Sequence, residues 1–129
     1  ETKIFDMVGA MGNKNPSGAI EIYRNLLLLK EPPIRILAMI TRQFRLIYQC
    51  KYLLEEGFAQ SEIAQRIGQR DFVVRECIKQ GRNFSIPALE HAMKDCLNAD
   101  IAIKTGRMDG EMAVELLLVQ YSAKRSAES

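Results

Sequence analysis

The sequence predicts an all-α domain, a compact bundle of about five to seven helices around one long central helix. Three observations carry that prediction. Residues 32–57 keep an unbroken three-or-four-residue apolar spacing, opened by Pro32 and Pro33 and closed by Gly57. Strand signals are weak, with no alternating Val/Thr run and no Asn-Gly hairpin turn. The remaining residues are cut at short intervals by caps, prolines and glycines that start and stop helices.

Taken in order, Lys3 to Met11 reads as a short helix with Ile4, Phe5, Met7, Val8 and Met11 apolar. A turn at Gly12 to Asn15 leads to Pro16, which opens a second helix to Lys30. Its inner face is expected to use Ala19, Ile22, Tyr23, Leu26 and Leu29. Glu31 is a short link, and short links favour antiparallel neighbours. The central helix follows. One stripe holds Leu37, Ile40, Phe44, Ile47, Lys51 and Leu54, and a second holds Ile36, Met39, Leu46, Cys50 and Leu53. An apolar surface that wide requires neighbours on more than one side.

Beyond Gly57, Ser61 is the expected cap of a helix from Glu62 to Ile67, and Gly68 to Arg70 form a tight turn. Asp71 is expected to cap Phe72 to Gln80, with Val74, Cys77 and Ile78 inward and Gly81 as the stop. Ser85 caps the next helix, with Pro87 in its first turn, and that helix runs to Lys104. Its inner side is marked by Leu89, Ala92, Met93, Cys96, Leu97, Ala99 or Asp100, and Ile103. Thr105-Gly106 ends it, and a last helix runs from about Asp109 to Lys124. Met112, Val114 or Glu115, Leu116, Leu117, Val119 and Gln120 encircle that helix, and Ser122 to Ser129 is a polar, frayed end.

The length of 129 residues fits one domain, residues 1–129, able to bury a core without staples. A net charge of +2 does not by itself point to nucleic acid or an anionic membrane. The three cysteines, Cys50, Cys77 and Cys96, form no CxxC pair and sit in apolar helical patterns, as small core residues of a reducing compartment do. No leader-like segment or membrane-length apolar run is visible, and a chain that enters a helix directly at Glu1 is expected to be a piece of a longer protein.

No chemistry suggests itself. His91 is the single histidine and has no catalytic companions on its helix. Gly9 to Lys14 superficially resembles a phosphate cradle, but it lacks the Gly-Lys-Ser/Thr end and follows no strand. The carboxylates pair at helical spacing with basic residues, as in Glu90 with Lys94 and Asp100 with Lys104. Hence no catalytic residue, no metal ligand and no cofactor is expected. Ser61 to Ile78 has the spacing of a helix-turn-helix through Ala64, Gly68 and Val74, with Arg66, Arg70, Arg75, Lys79 and Arg82 nearby. Read functionally, Arg70, Arg75 and Lys79 would contact DNA. Against that reading, Glu62, Asp71 and Glu76 are interleaved, and Asp71 and Phe72 stand where base edges would be met.

Several runs then fall into one order: Leu37 to Leu46 with Lys51, Glu62-Ile63-Ala64, Phe72-Val73-Val74, Phe84-Ser85 with Leu89, and Asp100 to Gly106. In that order and spacing the chain resembles the C-terminal region of the bacterial DNA polymerase III delta subunit family, components of the clamp loader. Ile4-Phe5-Asp6 and the amphipathic stretch Ala19 to Leu29 match its entry, so the resemblance covers nearly the whole chain. It implies a non-catalytic, cytoplasmic collar domain that joins equivalent domains of the other clamp-loader subunits, the ATPase subunits of gamma/tau and delta-prime type. The sliding clamp and DNA would be reached only through an upstream part or the assembled complex. Tyrosine and arginine are favoured interface anchors, which makes Arg42, Arg45, Tyr48, Tyr52 and Tyr121 the candidate subunit contacts. The plainer alternative is that the arginines are solvated and the tyrosines are core residues with a wet hydroxyl.

Overall fold

The computed structural model describes residues 2–123, which form seven α-helices and no strand. These are α1 (Thr2–Gly12), α2 (Pro16–Leu28), α3 (Pro33–Glu55), α4 (Gln60–Ile67), α5 (Asp71–Gly81), α6 (Ile86–Lys104) and α7 (Gly110–Ser122). The expected bundle around one long helix is what is seen. The 23-residue α3 packs against α1, α4, α5, α6 and α7, while α2 lies outermost on α1 and α7. The polar end expected beyond Ser122 falls largely on residues 124–129, outside the described residues.

Local chemistry explains most boundaries. Asn15 caps α2 by accepting from the Gly18 N–H at 3.1 Å, with Pro16 in the first helical position. Ser85 and Asp109 do the same for α6 and α7, accepting from the Ala88 and Met112 N–H groups at 3.1 Å each. Gly57 (φ +99°) and Gly68 (φ +69°) take the left-handed conformation that lets the chain leave α3 and α4 abruptly.

Two expected caps are corrected. Helix α4 begins at Gln60, so Ser61 lies inside its first turn; the Glu62 carboxylate reaches back to the Ala59 N–H at 2.8 Å and secures the start. Asp71 is itself the first residue of α5, where a carboxylate suits the positive end of the helix, and Arg70 precedes it without a side-chain cap. Helix α2 also stops two residues early, because Lys30 adopts φ +67°. Helix α7 ends at Ser122, and Ala123 is extended.

The core is one cluster. Ile36, Leu37, Ile40, Phe44, Leu46, Ile47 and Cys50 of α3 are buried in it with Met7, Val8, Met11, Tyr23, Ile63, Val74, Leu89 and Leu118. Both apolar stripes of α3 therefore find neighbours, except at Leu54, which is exposed. Lys51 keeps its place on the first stripe by laying its aliphatic stem against Gly81. Its ammonium then donates to the Gly81 carbonyl at 3.0 Å. Leu29 and Leu97, expected inward, are exposed; of the residues expected around α7, Met112, Leu116 and Val119 are exposed, and the helix buries Ala113, Val114, Leu117 and Leu118.

At the end of α1, a Cβ on Gly12 would stand 2.8 Å from Cε2 of the Phe84 ring. That ring cannot swing away freely, since it is buried edge-on against Phe44 with centroids 5.7 Å apart. Gly12→Ala, which would ordinarily favour a helix, is expected here to destabilise by about 1–3 kcal/mol. Urea unfolding of the variant and the parent checks this, and equal or higher stability would show that the contact relaxes.

Candidate interface

The open side of α3 is set by its neighbours. Helix α5 lies along the edge that carries Gln43 and Lys51, and α6 lies antiparallel along the edge that carries Thr41 and Tyr48. Between them, Arg42, Arg45 and Tyr52 face solvent, with Arg35 and Ala38 one or two turns earlier. Arg42 and Arg45 take part in no ion pair among the described residues; the guanidinium of Arg35 lies 3.6 Å from Glu31. Tyr48 and Tyr52, one turn apart, stack with ring centroids 6.1 Å apart and planes at 18°. The Tyr48 hydroxyl donates to Glu90 of α6 at 3.5 Å. Leu97 and Ile101, seven and eleven residues beyond Glu90, fall on the same stripe of α6 and are exposed. The structure thus brings together Arg42, Arg45, Tyr48 and Tyr52, and it exposes nearby on α6 Leu97, which the sequence reading assigned inward, and Ile101, which it left aside.

Tyr121 is not on that face. It is half-buried in α7, its hydroxyl donates to Asp95 of α6, and its ring lies 6.2 Å from that of Phe44. Burial first, then the Asp95 bond and charge, push its ionisation well above the ordinary tyrosine range. Its polar and aromatic groups are occupied within the domain.

Arg70, Arg75 and Lys79 are exposed around α5. Arg75 and Lys79 each lie 3.6 Å from the same carboxylate, Glu76, and Arg66 is laid over the Phe58 ring at 4.1 Å. Phe72, half exposed, stands at the start of α5. The basic residues of this segment are therefore interrupted by acid and apolar groups and do not form a continuous phosphate track.

Sequence reasoning missed a buried polar chain behind the α3 face. Gln43 donates to Gln80 at 3.1 Å, and Gln80 donates to the Phe5 carbonyl at 2.8 Å, tying α3, α5 and α1 together. The available signal was spacing: Gln80 lies three residues beyond Cys77 on the inward stripe of α5. The neighbouring Cys77 thiol together with burial pushes the Cys50 thiol up. His91 is exposed on α6. Among the described residues, no group of three His, Cys, Asp or Glu could hold a metal, and no helix is long and apolar enough to cross a membrane.

The family model described as the C-terminal domain of the DNA polymerase III delta subunit matches residues 1–121. DNA polymerase III subunit delta of Bacillus subtilis is 35% identical over 120 residues, which is 93% of this chain and 35% of that protein. The solved structure of the Bacillus subtilis DNA clamp loader delta protein superimposes with a TM-score of 0.89 at 34% identity, again over 93% of this chain and 35% of that one. The chain thus spans about a third of the length of the relatives it matches.

Proposed function

Because the chain belongs to the family of C-terminal domains of the DNA polymerase III delta subunit, we propose that it is the collar module by which a delta subunit joins the other subunits of a bacterial clamp loader. The module contributes contacts and no catalysis. It works in the cytoplasm as part of a longer protein, next to ATPase subunits of gamma/tau and delta-prime type. It reaches the sliding clamp and DNA only through the rest of that protein and the assembled complex. The observation that carries this reading is the family match over residues 1–121, nearly the whole chain.

The face assigned to assembly is that of α3, where Arg42, Arg45, Tyr48 and Tyr52 adjoin Leu97 and Ile101. Arginines that take part in no ion pair among the described residues, beside stacked aromatic rings, make strong anchors when a partner excludes water from them. Leu97 and Ile101 are exposed on the neighbouring helix α6, and apolar residues of this kind form the centre of an interface. The helix-turn-helix reading is weaker, because Glu76 sits between Arg75 and Lys79.

The test uses the full-length protein with the remaining clamp-loader subunits. Arg42→Ala with Tyr48→Ala is expected to weaken incorporation by tenfold or more, about 1.4 kcal/mol, while helicity is retained. Neutralising Arg75 and Lys79 is expected to leave both assembly and the salt dependence of DNA binding unchanged. Tight DNA binding lost with Arg75 and Lys79, with assembly indifferent to Arg42 and Tyr48, would overturn the assignment.

A further inference from the structure

Helix α7 carries a second open face. Met112, Leu116 and Val119 recur at i, i+4 and i+7, and they are 53%, 50% and 45% exposed, with Met108 in the preceding turn at 39%. This is a second apolar stripe that no described residue covers, since the opposite side of the helix is the one that buries Ala113, Val114, Leu117 and Leu118. A stripe of this kind on a small domain marks a contact surface more readily than scattered apolar residues do.

Its edges are acidic. Glu111 and Glu115 are exposed along the side of α7 that meets α2 and take part in no ion pair among the described residues. Asp109 caps the same end. Their position is fixed independently by Tyr23 of α2, whose hydroxyl donates to the Glu111 carbonyl at 2.9 Å. Burial holds the Tyr23 phenol well above its ordinary range, and the charges of Glu111, Glu115 and Asp109 push it the same way. The apolar stripe of α7 therefore has the exposed carboxylates Glu111 and Glu115 along its α2 edge, while Asp95 on the α6 side is engaged by Gln120 and Tyr121. The α3 face has the opposite character, with Arg42 and Arg45 beside aromatic and aliphatic groups.

We infer that the α7 face is a second docking surface, which seats an apolar helix edged with lysine or arginine on a neighbouring clamp-loader subunit. The inference rests on the collar reading above and adds a second, chemically distinct contact to it. An anionic lipid surface is disfavoured by the same carboxylates. A domain with one basic-aromatic face and one acid-edged apolar face is built for head-to-tail contact, in which each face meets a different neighbour. Charge at the edges sets register and speeds encounter, while the apolar stripe supplies the holding contact.

The experiment again uses the full-length protein and the other clamp-loader subunits. Two double variants probe the stripe and its edge separately: Met112→Lys with Leu116→Lys, and Glu111→Lys with Glu115→Lys. All four positions are exposed and lysine is a good helix former, so folding is expected to persist, as circular dichroism and thermal melting will report. The first variant is expected to bind one neighbour at least about tenfold more weakly while retaining the contact made through Arg42 and Tyr48. The second is expected to associate more slowly at low salt, with the difference from the parent shrinking as salt rises. Parent-like assembly by both folded variants overturns the α7 surface and leaves the collar reading standing. Failure of the parent itself to assemble overturns both. Self-association of the full chain alone, lost in the first variant, would make a second copy the occupant and overturn the choice of partner.

Discussion

Replacing Phe44 by alanine is expected to lower the unfolding free energy by about 3–5 kcal/mol. The residue has no exposed surface, lies midway along α3, and packs edge-on against Phe84 and at a tilt against Tyr121. Those two rings bring in the α5–α6 connection and α7, so a cavity at Phe44 opens where three parts of the fold meet. The surroundings are helical and already close-packed, which limits collapse into the space. A loss of that size removes a large part of the 5–15 kcal/mol typical of a folded domain. Phe44→Leu, which keeps most of the volume, should cost distinctly less. Equilibrium denaturation of the three proteins measures both, and a loss below about 1 kcal/mol for the alanine variant would place Phe44 outside the core.

Alkaline pH is expected to destabilise the domain by an amount of similar order. Burial pushes the Cys96 thiol up to about 11, against a smaller opposing effect of the Thr41 hydroxyl. Tyr23 and Tyr121 are raised further, again first by burial. The two thiols of the Cys50–Cys77 pair shift in opposite directions, so the clean contributions are those of Cys96 and the two tyrosines. Each of these three groups holds its proton more tightly in the folded chain than in the unfolded one. Its stabilisation is complete below the unfolded pKa and is lost as pH rises through the folded value. The loss should begin near pH 8.5, where an unfolded cysteine ionises, and steepen near pH 10, where unfolded tyrosines join it, at roughly 1.4 kcal/mol per pH unit for each group. By pH 11 the total is on the order of 5 kcal/mol. Denaturation curves at pH 7, 9 and 10.5 test this, with Tyr23→Phe as the control that should flatten only the part above about pH 10. A stability that stays level to pH 10.5 would contradict the tight burial of Cys96 and Tyr23 and the half-burial of Tyr121.

The sequence alone determined the helical class, the long central helix and most helix ends, because these rest on local physics. Prolines at Pro16 and Pro33, side-chain caps at Ser85 and Asp109, and left-handed glycines at Gly57 and Gly68 each act within one turn of chain. Residue spacing also put Leu37, Ile40, Phe44 and Ile47 on one buried face, since a helix of that length has to bury its continuous stripe somewhere.

Only the tertiary structure decided what happens where a helix is apolar nearly all round. Helix α7 has leucines and valines on both sides, and which half is covered depends on where α2 and α6 lie, not on α7 itself. The same holds for Leu97, exposed on the stripe of α6 that passes Glu90, and for Tyr121, drawn inward by Asp95 and Phe44. Arg42, Arg45, Tyr48 and Tyr52 stood out in the sequence by residue type, but their convergence on one open strip follows from α5 and α6 flanking α3. Local sequence sets which backbone groups and stripes must be satisfied; only the packed neighbours determine which stripes are satisfied inside the domain and which are left for a partner.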